Sequence, residues 1–202
     1  MEKNSNTGAA YIFNINNSTV TESHILTAFD ADTGDYYGIS VAISENYVVV
    51  GADWDDDSGI RSGSIYLYET DGTYLDKTNA SDGEANSWFG YFVSLSDDYV
   101  AVGSPDYAIT SDDEGHAYVF RIQSNKFVEK KIFFASDFQE DDYFGWSVFI
   151  SGNYLVVGAY REDSKADAAG AAYVYNFFDG LIYSNGGEVS LNNVDYYDIL
   201  EG

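Results

Sequence analysis

Cysteine is absent from the chain, and there is one proline, one methionine and only nine lysines and arginines. Without cysteine there are no disulfides, no thiolate zinc site and no thiol nucleophile. The few cations face 34 aspartates and glutamates, giving a formal net charge of −25 and a pI near 4.1. Charge of that sign repels phosphate backbones and anionic headgroups, so neither nucleic-acid binding nor membrane insertion is expected. No apolar run approaches the about 20 residues that span a bilayer. The opening MEKNSNTGAA holds no apolar stretch, so no secretory signal is visible in it. Motifs of catalysis are missing too: there is no G-x-S-x-G, no HExxH and no phosphate loop, and His24 and His116 fall at unlike repeat positions.

Aromatic residues are plentiful. Tyr (19) and Phe (13) dominate a 17% aromatic fraction, and hydrophobic residues reach 45%, enough for a packed core despite the charge. Aromatic and β-branched side chains suit pleated sheets, and 19 glycines supply the turns an all-β chain needs.

Three segments align without gaps over their central part: DYYGISVAISENYVVVGA from Asp35, SWFGYFVSLSDDYVAVGS from Ser87 and DYFGWSVFISGNYLVVGA from Asp142. Gly38, Gly90 and Gly145 mark the register, with spacings of 52 and 55 residues. Gly51, Gly103 and Gly158 keep the same spacings, as do Gly63, Gly115 and Gly170. GAAYIF from Gly8 repeats the later GAAYVY, and DYYDIL from Asp195 echoes DYYGIS with Asp198 in the glycine position.

Each copy reads as four antiparallel strands. Ile39, Val41 and Ile43 alternate with small residues, a period of two. A two-residue turn follows, Glu45-Asn46, Asp97-Asp98 or Gly152-Asn153, built from residues that tolerate positive φ. The next strand, as in YVVVGA, is almost wholly apolar, which suits a sheet covered on both faces. A loop leads to a third strand such as GSIYLY, and a looser fourth is clearest over Lys126–Ala135. One such sheet cannot bury both faces alone, so successive sheets must stack. The pattern predicts an all-β β-propeller, with a partial blade over about 8–34, full blades over 35–86, 87–141 and 142–194, and a further partial blade over 195–202. A β-sandwich is the rival architecture, but it does not account for so long a fixed period. The ends leave two readings open: a four-blade ring closed by residues 195–200, or an excerpt of a larger propeller.

At the pairs Tyr37-Gly38, Phe89-Gly90 and Phe144-Gly145, and at Gly51-Ala52-Asp53, Gly103-Ser104-Pro105 and Gly158-Ala159-Tyr160, the sequence resembles the FG-GAP repeat family, the repeat of integrin α-subunit head propellers. The microbial-type variant is the nearest pattern. The resemblance implies an extracellular or cell-surface propeller of about seven blades that binds ligands with one loop face. Integrin blades hold Ca²⁺ between their first two strands. Here that connection is a two-residue turn, too short for the six to eight oxygens Ca²⁺ takes, so that site is not carried over.

In a meander, the loops after second strands and the links between sheets share one end. Asp30, Asp32, Asp35, Asp53, Asp55, Asp56 and Asp57, together with Asp106, Asp112, Asp113, Glu162, Asp163 and Asp167, fall in these connections. They are the candidate ligand-binding face, with Trp54 as an aromatic suited to sugar or peptide capture. Carboxylates about 6 Å apart repel by roughly 0.7 kcal/mol per pair in water, so a cluster favours a cation. Asp53, Asp55 and Asp57 have the alternating spacing of a calcium loop, although Gly59 comes one place late and Ser64 stands where the closing Glu belongs. No cofactor is required, and Ca²⁺ is the candidate metal. Asp30, Asp82 and Asp137 recur eight residues before each key glycine, either as a shared ligand set or as turn caps on backbone amides.

The leading expectation is a non-catalytic adhesion or recognition module whose partner is a protein or glycan. The alternatives are a structural repeat of a surface or secreted assembly, and a polysaccharide-acting enzyme using a carboxylate pair. Further blades or self-association are expected at the uncovered ends.

Overall fold

The computed structural model describes residues 7–105, 115–135, 141–162 and 169–176, and the backbone of Tyr196–Glu201. Every regular element among them is a β-strand, and every sheet is antiparallel. β1 (Ala10–Asn16) and β2 (Thr19–Leu26) form a two-stranded sheet. β3 (Ser40–Ile43), β4 (Tyr47–Ala52), β5 (Ser64–Glu69) and β6 (Tyr74–Thr78) form a four-stranded meander. β7 (Phe92–Ser96), β8 (Tyr99–Ser104), β9 (His116–Gln123) and β10 (Lys126–Phe133) form the next. β11 (Phe144–Ser151), β12 (Tyr154–Ala159), β13 (Ala171–Asn176) and β14 (Tyr196–Glu201) form the last. The turns at Asp97 and Gly152 have φ of 54° and 55°, as their residue types anticipated.

The last strand is placed differently from the sequence echo. Tyr196–Glu201 is the outer strand of the β11–β14 sheet, paired with β13, and does not open a further blade. The reason lies at the glycine of the repeat. Gly38, Gly90 and Gly145 have φ of 92°, 92° and 89°, and a Cβ at any of them would overlap the backbone of the preceding sheet. An aspartate, as at position 198, cannot take that place cheaply.

The second strand of each sheet shows why these segments read as continuous apolar runs. Val48 and Val50 enter the core shared with β1 and β2, beside Ala10, Ile12, Leu26 and Tyr37. Val49, between them, enters the opposite core with Val93, Val100 and Tyr118. Val100 and Val102 join that second core, and Ala101 joins a third with Phe144, Val148 and Leu155. Alternate residues of one strand therefore serve successive cores, and each buried valine contributes roughly 1.5–3 kcal/mol. The sheets form a series, and among the described residues it is open: the β1–β2 pair and the β11–β14 sheet do not join.

Backbone packs against backbone at each junction. Gly63 bridges Phe89 and Gly8 bridges Tyr37, both in parallel fashion. Gly51 lies against the carbonyl of Gly90, and Gly103 against that of Gly145, where no Cβ would fit. Ser40 Oγ adds a hydrogen bond to the same Gly90 carbonyl at 2.7 Å. The recurring glycines are thus the points of closest approach between neighbouring sheets.

Candidate functional site

The β4–β5 loop (53–63) and the β2–β3 and β6–β7 connections come together at one end of the sheets. Trp54 N–H donates to Asp35 O, Asn86 N–H to Ile60 O and Trp88 N–H to Arg61 O. The same bond recurs in the last repeat, where Arg161 N–H donates to Asp142 O. The short β3–β4 and β7–β8 turns lie at the opposite end, as the alternation of a meander requires.

At the loop end β6 supplies a residue that the repeat pattern does not flag. Lys77 stands opposite Tyr66 in the β5–β6 pairing. Its ammonium donates to Asp30 Oδ2 at 2.7 Å, Asp55 Oδ2 at 2.8 Å and Asp57 Oδ2 at 2.6 Å, and lies 4.9 Å from the centre of the Tyr66 ring. The Tyr66 hydroxyl reaches Asp30 Oδ1 at 3.0 Å and Asp55 Oδ2 at 2.9 Å. Asp55 Oδ1 also accepts the Asp57 amide at 3.1 Å. Burial alone would raise the Asp55 pKa, but the bonds from Lys77, the Asp57 amide and Tyr66 outweigh it and hold the carboxyl below its usual range. Burial would likewise discharge Lys77, yet its three carboxylate partners push its pKa above the ordinary lysine value.

Asp30, Asp55 and Asp57 present oxygens within 4.8 Å of one another and could hold a metal ion. Their common centre is already served by the lysine ammonium, a cation supplied by the chain itself. The metal set expected from spacing, Asp53 with Asp55 and Asp57, is not the set that converges. Asp53 turns inside, 4% exposed, with Oδ1 lacking a hydrogen-bond partner. Burial raises its pKa to about 7, against the pull of its own backbone amide.

The other expected face residues divide by burial. Asp30, Asp32, Asp56 and Asp57 are exposed. Asp35, Asp55 and Glu162 are buried and do not contribute to the surface. Asp35 Oδ2 accepts the Asp32 amide at 2.6 Å, and the Asp56 carboxylate accepts the Arg61 amide at 2.7 Å. Trp54 is half-buried, with the Arg61 guanidinium 3.9 Å above its ring and Tyr36 packed against its edge. Asp106, Asp112, Asp113, Asp163 and Asp167 lie outside the described residues, as does Asp137.

The recurrent aspartates have a different partner from the backbone amides expected of a turn cap. Asp30 accepts from the Tyr66 hydroxyl, and Asp82 accepts from the Tyr118 hydroxyl at 2.8 Å. Each Asp sits in the link before a sheet, and each Tyr on that sheet's third strand. The two recurrences, eight residues before the glycine and midway along the third strand, are one interaction. Their shared spacing of 52 residues was the signal that could have paired them.

The profile of the FG-GAP repeat matches residues 20–68, 75–120 and 127–175. The chain belongs to the FG-GAP repeat family. Each matched unit starts on the last strand of one sheet and ends on the third strand of the next, so the FG-GAP unit straddles two sheets. It thereby includes the interlocking glycines and the Asp–Tyr bond. Among curated proteins, none matches the chain. FG-GAP repeats suggest a repeat or binding module, and the family is generally non-enzymatic.

Proposed function

We propose that this FG-GAP chain is an extracellular or cell-surface recognition module whose stacked sheets are blades of a β-propeller. It holds a protein or glycan ligand at the loop end and performs no catalysis there. The observation that carries this reading is the convergence of three connections at one end, which also carries exposed Asp32, Asp56 and Asp57 and the half-buried Trp54 with exposed Tyr36 packed against it. Carboxylates accept hydrogen bonds from sugar hydroxyls or pair with basic side chains, and an aromatic face beside them excludes water. The Lys77 ion cluster supports the platform by fixing the 53–63 loop to the β2–β3 connection. Ca²⁺ is an accessory ligand in this reading, recruited by exposed carboxylates and not required for the fold.

Neutralising the three exposed carboxylates tests it, with thermal unfolding read alongside because Asp57 also pairs with Lys77. Asp32→Asn, Asp56→Asn and Asp57→Asn in one variant, scanned against a glycan array and a panel of basic peptides, are expected to lose at least tenfold of the native signal. An unchanged binding profile, with thermal unfolding also unchanged, overturns the assignment of ligand binding to this end.

A further inference from the structure

The chain has nine lysines and arginines, yet four of them stand together in one hairpin. From Arg121 to Ala135 the sequence carries Arg121, Lys126, Lys130 and Lys131 against Glu129 alone, a local +3 in a chain of −25. Two of the four are engaged within the molecule. Arg121 Nε donates to Asp98 at 2.9 Å, and Lys126 Nζ to Asp76 at 3.2 Å. Glu129 is engaged as well, accepting from the amide and the hydroxyl of Ser81 in the preceding link. Lys130 and Lys131 are exposed and form no ion pair among the described residues. Desolvation lowers the Lys131 pKa, so its charged form gains from a nearby anion.

Neighbours on a strand ordinarily point to opposite faces. Between β9 and β10 the register shifts at Glu129 and Lys131, and Lys130 is the extra residue of the bulge. Both lysines stay exposed there. β10 is an outer strand paired on one side only, and lysines with a bulge discourage strand addition at such an edge. Edge protection does not by itself account for them. In the β3–β6 sheet the outer strand is β6, where Asp76 takes the place of Lys131 and Lys77 is turned into the carboxylate cluster. That edge does without a surface lysine. A counterpart to the β10 stripe lies on the chain itself. The 53–63 loop presents exposed Asp56 and Asp57, and three residues on Ile60, 67% exposed. The β10 stripe presents Lys130 and Lys131, and three residues on Phe134, 57% exposed. The same spacing recurs with the charges reversed.

We propose that this stripe is a docking surface for the 53–63 loop of a second copy of the chain. The Asp56 and Asp57 carboxylates pair with Lys130 and Lys131, and Ile60 covers Phe134. The two surfaces are different parts of the molecule, so the contact is heterologous, and one copy gives its loop while receiving another on β10. The net charge of −25 on each copy opposes the approach. The Debye length falls from about 30 Å at 0.01 M salt to about 8 Å at 0.15 M, so long-range repulsion fades while ion pairs in contact persist. Association is therefore strongest at intermediate salt. The inference does not need the ligand of the loop end, although a docked loop competes with one.

Sedimentation velocity of the full chain over a concentration series tests it. Self-association is expected at about 0.15 M salt and is expected to weaken at both about 0.01 M and about 1 M. Lys130→Glu with Lys131→Glu leaves every loop-end residue in place and is expected to weaken association at least tenfold. Ile60→Lys, at an exposed side chain of the loop, is expected to do the same from the other side. Thermal unfolding of each variant checks that the fold is kept. Mixed in equal amounts, the two variants are expected to form a dimer, since one keeps a native loop and the other a native β10 stripe. Three outcomes overturn the proposal: a native chain that is monomeric at every salt, a lysine variant that associates like the native chain, or a mixture that stays monomeric. A monomeric native chain that binds polyuronate through Lys130 and Lys131 would assign the stripe to an anionic polysaccharide instead. Ligand binding at the loop end is retained in the lysine variant, so the two readings fail separately.

Discussion

The β3–β6 sheet and the β7–β10 sheet are built on the same repeat, yet the third-strand tyrosine faces a lysine across the sheet in one and an isoleucine in the other. Both keep the bond from a third-strand tyrosine to an aspartate in the preceding link, Tyr66 to Asp30 and Tyr118 to Asp82. Opposite Tyr66 stands Lys77, and opposite Tyr118 stands Ile132. Position 53 is a buried aspartate, and its counterpart is Pro105. Among the described residues the Asp–Tyr bond therefore occurs in both of these copies, whereas the ion cluster occurs in one. A repeat scaffold keeps what joins its sheets and varies what fills its loop corners.

Breaking the cluster has the largest expected effect. Lys77→Met leaves Asp55 buried without its cation, and the cost is about 3–5 kcal/mol in denaturant unfolding at neutral pH. Ile132→Met at the matching place costs less than about 1.5 kcal/mol. The contrast depends on pH in a defined way. Asp55 has a lowered pKa, so its contribution is complete above its ordinary 3.8 and lost as pH falls through the lower folded value. The Lys77→Met penalty should shrink in that acid window. Equal penalties for the two substitutions at neutral pH would show that the ammonium is not what distinguishes the sheets.

Making position 53 resemble its neutral counterpart should instead stabilise the fold. The Asp53 carboxyl has its pKa raised from 3.8 to about 7, so the folded state favours the protonated acid. Its contribution is complete below 3.8 and lost as pH rises through 7. The shift of about three units corresponds to at most about 4 kcal/mol of destabilisation above pH 7. Asp53→Asn should gain on the native chain between pH 4 and 7 and hold that gain at pH 8, read as denaturation midpoints at each pH. A gain that is the same at pH 4 as at pH 8 would exclude buried charge as its source.

The shared tyrosines provide the smallest and sharpest comparison. Tyr66→Phe removes a hydroxyl shared by two carboxylates, one of them buried, and should cost about 1.5–3 kcal/mol. Tyr118→Phe removes a hydroxyl that meets exposed Asp82 at 2.8 Å and His116 Nδ1 at 3.3 Å, with no buried carboxylate among the described residues, and should cost about 1 kcal/mol. A reversed order in equilibrium unfolding would mean that the second copy carries the stronger bond.

Much of the fold was legible from residues that occupy one register in every copy. Gly51 and Gly103 announced close backbone approach, and YVVVGA announced a strand covered on both faces. The site was less legible. Lys77 has no equivalent in the other repeats, so periodicity passed over it, and it meets Asp30 and Asp55 across 47 and 22 residues of chain. Calcium-like spacing suggested grouping Asp53 with Asp55 and Asp57, but the turn of the 53–63 loop sends Asp53 inward. DYYDIL matched a first strand by letters while lacking the glycine that the junction demands.

The amino-acid order alone determined the strands, their period of 52 to 55 residues and the glycines at which sheets meet, because these follow from local pleating and the space a Cβ occupies. The tertiary structure decided which carboxylates share the Lys77 ammonium, which are shut away from water and which lysines stay exposed on β10. Those outcomes depend on how loops and strands distant in sequence converge, and that is not encoded in the spacing of residues along one strand.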